Sequence, residues 1–322
     1  MENVIARICK KEGLEARTIQ PVSGGQVNQV FLIDDRFILR IGGREGAYQR
    51  LKAETELLQR LAGQVPVARV YAFGQEGDLV YQIQRYVQGE KLYTIWNQLD
   101  CKSQDRLAGE LAEYLKLFRK ITFEKFGYLS DPLHQFDSWQ DCLAFEFNRS
   151  LAEFQALGIR TFPGMLDLAA DFFEKNRAVL GEGGSSLVHG DLWMGNILVD
   201  KGKISAILDF EYAMQAPADF ELFKMEDFCL YPNDYAEEEG EDYCTDDFAG
   251  FFRLLRRHDP DLFETAHLRT RMSLYQIESA LSDALAWRKD NLNTIPTDSL
   301  KAMEFYMARI SNAIFRDGIR LF

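Results

Sequence analysis

Leu187-Val188-His189-Gly190-Asp191-Leu192-Trp193-Met194-Gly195-Asn196-Ile197-Leu198-Val199, followed by Ile207-Leu208-Asp209-Phe210, decides how this chain is read. An Asp, then an Asn, then a second Asp stand between short apolar runs of the kind that form strands. Short loops between such strands bring the three side chains into one pocket. The set suits phosphoryl transfer, where the moving group spreads negative charge over its oxygens and a catalyst works by positioning and cation clamping. Asp191 is the candidate base that orients an acceptor hydroxyl and takes its proton. Asn196 and Asp209 offer the hard oxygen ligands that magnesium accepts. Each residue alone would be an ordinary turn residue. Order, spacing and flanking strands set the three apart.

The segment resembles the protein-kinase catalytic loop H-R-D-x-x-x-x-N and its downstream D-F-G. His189-Gly190-Asp191 stands for H-R-D, Asn196 falls at the right offset, and Asp209-Phe210 supplies the second metal carboxylate. The Arg is absent and Glu211 takes the third D-F-G position. In this form the motif is similar to that of the aminoglycoside phosphotransferase and choline kinase superfamily, small-molecule kinases built on a kinase-like fold. The resemblance implies an α+β, two-lobed protein-kinase-like fold, with a small antiparallel β-lobe and a large, mainly helical lobe. It also implies magnesium, ATP or GTP as phosphoryl donor, and a small-molecule hydroxyl as acceptor. His189 is then expected to hold the loop by a backbone hydrogen bond. Asp209-Phe210-Glu211-Tyr212 is similar to choline kinases, and His189-Gly190-Asp191-Leu192-Trp193 to fructosamine kinases. Where many members carry Gly-Asp-Pro-x-x-Asp-Leu, this chain has Ala216-Pro217-Ala218-Asp219-Phe220-Glu221-Leu222.

The rest of the chain falls into place around this segment. Apolar residues at helical spacing follow Met1, and three short strands are expected between Thr18 and Ile41. A helix over Tyr48 to Leu61 carries the stripe Leu51, Leu57, Leu58, Leu61. Two strands, Val70 to Phe73 and Leu79 to Ile83, complete a β-lobe over residues 1–87. Long helical patterns then take over in a lobe over 88–322: Ser103 to Ile121, Ser138 to Leu157, Met165 to Leu180, Asp219 to Leu230, Tyr243 to Arg257, Leu262 to Trp287, and Thr297 to Phe315.

Ser23, Gly24 and Gly25 sit where a loop folds over phosphates, since glycine lets backbone N–H groups approach an anion closely. Asn28 matches an Asn that steadies this turn in the family. Arg40 occupies the strand position where protein kinases place a phosphate-pairing Lys, and its guanidinium grips phosphate oxygens as a fork. Its expected partner is Glu54, which lies four and seven residues before Leu58 and Leu61. Glu56 falls off that stripe. Arg85, Tyr86 and Val87 form the expected hinge, where adenine is met by backbone groups.

Composition sets the outer limits. The 322 residues carry a net charge of −13, which excludes a broad nucleic-acid role. The same excess of acid favours a cationic or neutral acceptor. The run Glu237-Glu238-Glu239-Gly240-Glu241-Asp242 reads either as part of a cationic substrate site or as a solvated helix start. Trp96, Trp139, Trp193 and Trp287 read mainly as core. Trp193, two residues after the base, is the one candidate for a ligand-facing ring. Five scattered cysteines, no apolar run of bilayer length and no signal peptide point to a cytoplasmic protein without a membrane role. An aminoglycoside-like acceptor is the first expectation. Choline- or ethanolamine-like alcohols, homoserine, macrolides, or nucleotide binding without catalysis are the alternatives. The oligomeric state stays open.

Overall fold

The computed structural model describes residues 1–22, 28–43, 46–157, 161, 163–235, 242–290 and 300–315. Its first part is α1 (Glu2–Lys11), β1 (Ile19–Val22), β2 (Gln29–Ile33), β3 (Phe37–Gly42), α2 (Ala47–Leu61), β4 (Val70–Glu76) and β5 (Leu79–Arg85). The five strands form one antiparallel sheet in the order β1-β2-β3-β5-β4. Helix α1 places Ile5, Ile8 and Cys9 on one face, against Ile33, Phe37, Leu39, Ile41, Tyr81 and Ile83 of the sheet. Burying each large apolar side chain contributes about 1.5–3 kcal/mol. On α2 the buried stripe holds Leu51, Leu57, Leu58 and Leu61, with Glu54 among them.

The larger part runs β6 (Glu90–Lys91), α3 (Leu92–Ile95), α4 (Cys101–Arg119), β7 (Gly127–Tyr128), α5 (Trp139–Ala156), α6 (Met165–Asn176) and β8 (Ser186–Val188). It continues with β9 (Ile197–Asp200), β10 (Lys203–Ile207), β11 (Met214–Ala216), α7 (Glu221–Leu230), α8 (Thr245–His258), α9 (Leu268–Asp290) and α10 (Leu300–Phe315). Asp100 caps α4 by accepting the Ser103 N–H at 2.7 Å, and Ser138 caps α5 by accepting that of Asp141 at 3.1 Å. Trp96, Trp139, Phe118, Phe147 and Phe248 fill the helical core. The side chain of Trp287 lies outside what is described.

Several elements differ from expectation. The helix expected from Leu262 begins at Leu268, because Pro260–Phe263 forms a separate 3-10 turn. The helix expected to reach Leu180 ends at Asn176 and tightens into a 3-10 turn over Arg177–Gly181. Two small sheets, β10-β9-β6 and β7-β11-β8, include strands of two or three residues that no periodicity announces. They matter because β8, β9 and β10 frame the segment quoted at the outset. The architecture is α+β and two-lobed, as the sequence led us to expect.

Candidate active site

The site begins at the loop between β8 and β9. His189 is fully buried, and its Nε2 lies 2.8 Å from the Leu208 carbonyl. Its Nδ1 accepts the Asp191 N–H at 3.3 Å. Together these bonds assign the neutral ring with the proton on Nε2, and burial pushes its pKa down to about 4. The His189 N–H donates to Glu221 Oε2 at 2.8 Å. His189 therefore holds the loop and lies behind it.

Gly190 follows with φ +82°, and a Cβ there would stand 2.2 Å from the Tyr212 carbonyl oxygen. Only glycine fits, so the Arg of the kinase loop has no room here. Asn196 Nδ2 donates to the Asp191 carbonyl at 2.8 Å and to Asp191 Oδ2 at 3.2 Å. Its own amide oxygen makes no hydrogen bond to any described residue. Burial pushes the Asp191 carboxyl up to about 6, with nearby Lys224 pulling the other way.

Next to this loop, where the Leu208 N–H donates to the Asn196 carbonyl at 2.8 Å, Asp209 adopts φ +64°, an uncommon conformation for a residue with a side chain. Phe210 beside it packs on His189, ring centroids 4.3 Å apart, and on Phe118 at 5.8 Å. Arg40 of β3 bonds Glu54 Oε1 and Oε2 at 2.7 and 2.6 Å, and reaches Asp209 Oδ1 at 2.9 Å. Burial works against the Arg40 charge, but Glu54, Asp209 and Glu211 outweigh it and raise its pKa. Glu54, not Glu56, is the partner; Glu56 is exposed and meets Lys52 at 3.8 Å. Glu54 Oε1 also accepts the Phe210 N–H at 3.1 Å.

Other expectations need adjusting. Ser23, Gly24 and Gly25 lie outside the described residues, as does most of the acidic run, 237–241. Asn28 does more than steady a local turn: it is buried and donates to Glu211 Oε2 at 2.9 Å. At the hinge, the N–H groups of Arg85 and Tyr86 are already spent on the Arg69 and Arg36 carbonyls, at 2.8 and 2.9 Å. The Arg85 guanidinium stacks over Phe37, 4.4 Å from the ring centroid. This leaves the Val87 N–H as the hinge donor without a partner among the described residues. Trp193 is buried against Tyr93, Phe228 and Tyr235, at centroid distances of 5.5, 5.4 and 5.0 Å. Its ring therefore packs into the aromatic cluster.

Sequence reasoning missed three side chains. Glu211 is buried and lies 3.3 Å from Arg40 Nη2. Lys224 of α7 stands beside Asp191, and Asp283 of α9 beside Lys224. The only signal in the sequence was the acidic residue after Phe210. Lys224 and Asp283 are brought in by tertiary packing.

The phosphotransferase enzyme family, APH, matches residues 18–260. The chain belongs to that family. The phosphotransferase is similar in fold to the ternary complex of streptomycin, ATP and APH(2")-IIa, with a TM-score of 0.69, 16% identity and 97% of each chain covered. It is similar also to aminoglycoside phosphotransferase APH(2'')-Ib bound to ADP, with a TM-score of 0.67, 15% identity, and 97% of this chain and 98% of that one covered. A thermostable mutant of APH(4)-Ia with AMP-PNP and hygromycin B gives a TM-score of 0.66, 19% identity and the same coverage. These likenesses show the two-lobed kinase-like fold. No curated protein matches. No helix among the described residues of the phosphotransferase is long and apolar enough to cross a membrane.

Proposed function

We propose that this phosphotransferase moves the γ-phosphoryl group of ATP, with magnesium, onto a hydroxyl of a small cationic molecule of the aminoglycoside type. The observation that carries the reading is the convergence of Asp191, Asn196, Asp209 and the Arg40–Glu54 pair on one cleft. Asp191 is the base, Asn196 and Asp209 hold the metal, and Arg40 meets donor phosphates. Val87 offers the hinge N–H, Ser23, Gly24 and Gly25 belong to the phosphate loop, and the lobes divide between Val87 and Gln88. The structural neighbours hold ATP, ADP or AMP-PNP, which supports ATP over GTP.

The residues present fit magnesium. Among the described residues, no group of three or more His, Cys, Asp or Glu side chains has metal-holding geometry. Two protein ligands, the uncommitted Asn196 amide oxygen and the Asp209 carboxylate, leave the remaining positions to phosphates and water, as magnesium prefers. Magnesium bound there would neutralise charge developing on the phosphates. Asp191 orients the acceptor hydroxyl and receives its proton.

A cationic acceptor is favoured by the charges along α9. The Asp283 side chain is 39% exposed beside the base's neighbour Lys224. Burial, and then Glu146 and Asp283, pushes the Glu278 carboxyl up to about 8. An ammonium on the acceptor would favour the ionised form of such a group. A choline-type cage has less support, because the rings near the base pack on one another. Free cysteines at 9, 101, 142, 229 and 244 suit a reducing cytoplasm.

A screen of aminoglycosides, choline, macrolides and neutral sugars with magnesium and ATP tests this reading. Turnover is expected with amino sugars, and the acceptor KM should rise with salt, since exposed charge pairs are screened within about 8 Å at physiological ionic strength. Efficient use of neutral sugars alone would remove the cationic acceptor. The pH profile makes a second test. Asp191 acts only when ionised, so turnover should fall as pH drops through about 6, the position to which burial moves its carboxyl. An acidic limb near pH 4 would contradict a buried base.

A further inference from the structure

We propose that Lys224 is a catalytic residue of this phosphotransferase, an ammonium on α7 that meets the transferring phosphoryl group beside Asp191. The proposal rests on Asp191 being the base. Lys224 Nζ lies 3.9 Å from Asp191 Oδ1 and 3.9 Å from Asp283 Oδ2. Neither distance is a hydrogen bond, and Lys224 makes none to any other described residue. Yet its side chain is only 17% exposed. A structural lysine in this fold ends differently: Lys116 donates to Glu113 at 2.7 Å and to the His258 carbonyl at 3.0 Å. A solvated one, such as Lys201, is 89% exposed. Lys224 is neither. It is held between two carboxylates with its donors unspent.

Position gives the ammonium its role. Asp191 Oδ2 is taken by Asn196, so an acceptor hydroxyl reaches the base through Oδ1, the atom that faces Lys224. The rings of Phe223 and Tyr235 lie 5.9 and 5.8 Å from Nζ and seat the charge without neutralising it. Glu221, one turn earlier on α7, accepts the His189 N–H. One rigid helix therefore fixes both the catalytic loop and the cation beside it. Burial works against the lysine's charge, as does Arg309, but Asp283, Asp191 and Asp227 outweigh them.

In the transfer, the acceptor hydroxyl gives its proton to Asp191. Its oxygen bonds to the γ-phosphorus as the bond from that phosphorus to the β,γ-bridging oxygen breaks. The electron pair of the broken bond leaves with the nucleoside diphosphate. Lys224 keeps its proton throughout. Its charge stands where the phosphoryl oxygens arrive, so the attraction is stronger in the transition state than before it.

The test uses the full chain as wild type, Lys224→Met, Lys224→Gln and Lys224→Arg. Three quantities are read: phosphate release from magnesium-ATP with water as acceptor, affinity for ATP, and affinity for ADP with aluminium fluoride, a mimic of the transferring group. Lys224→Met and Lys224→Gln should lower phosphate release about 10²-fold and weaken ADP–aluminium fluoride binding by a similar factor. ATP affinity should stay within about threefold, because the contact forms late. Lys224→Arg should retain most of the aluminium fluoride affinity. Gln covers the case in which Met fails to fold. The proposal is overturned by unchanged aluminium fluoride binding, by equal losses of ATP and aluminium fluoride affinity, or by an Arg variant as impaired as Gln. It is equally overturned if none of the three variants folds, since Lys224 is then structural. A wild-type protein that neither releases phosphate nor binds ADP–aluminium fluoride defeats the kinase reading itself, and this inference with it.

Discussion

Asp191→Ala should lower acceptor-dependent turnover by about 10²- to 10⁴-fold while magnesium-nucleotide still binds. The effect is on kcat more than on KM, because the proton moves only as the transition state is reached. The loop should survive the change. Its shape depends on the Gly190 conformation, the His189 bonds to Leu208 and Glu221, and the Asn196 bond to the Asp191 carbonyl, none of which uses the lost carboxylate. Steady-state kinetics beside calorimetric nucleotide binding makes the measurement. Wild-type turnover in the variant would remove Asp191 from the chemistry.

Asp209→Ala should abolish magnesium-dependent nucleotide binding and with it turnover, and Asn196→Ala should show a milder loss. Asp209 also meets Arg40, so two effects must be told apart. Arg40 keeps both of its bonds to Glu54 in the variant, and the small lobe should stay folded. Circular dichroism and a nucleotide titration with and without magnesium separate the two. An unchanged magnesium dependence in Asp209→Ala would place the metal elsewhere.

The sequence showed most where chemistry and local pattern coincide. The nearness of Asp191, Asn196 and Asp209 was legible because short apolar runs precede Asp191 and Asp209 and follow Asn196, and the runs proved to be β8, β10 and β9. Glu54 was separable from Glu56 because the helical stripe of α2 carries one inward and leaves the other in water. Periodicity needs length, which is why β6, β7 and β11, each two or three residues long, were invisible. Lys224 and Asp283 were hidden for another reason. They lie far from Asp191 along the chain, and only the packing of α7 and α9 brings them close. At the hinge the sheet itself consumes the N–H groups of Arg85 and Tyr86, a cost that strand pairing fixes and composition does not reveal.

Three consecutive residues after β10 are tied down independently. Asp209 is held by Arg40, the Phe210 N–H by Glu54 and its ring by His189 and Phe118, and the Glu211 carboxylate by Asn28 and Arg40. In signalling kinases the packing of the corresponding Phe distinguishes working from resting states. Here such a rearrangement would strand a buried carboxylate and break bonds to both lobes at once. These contacts therefore oppose a resting position of that kind.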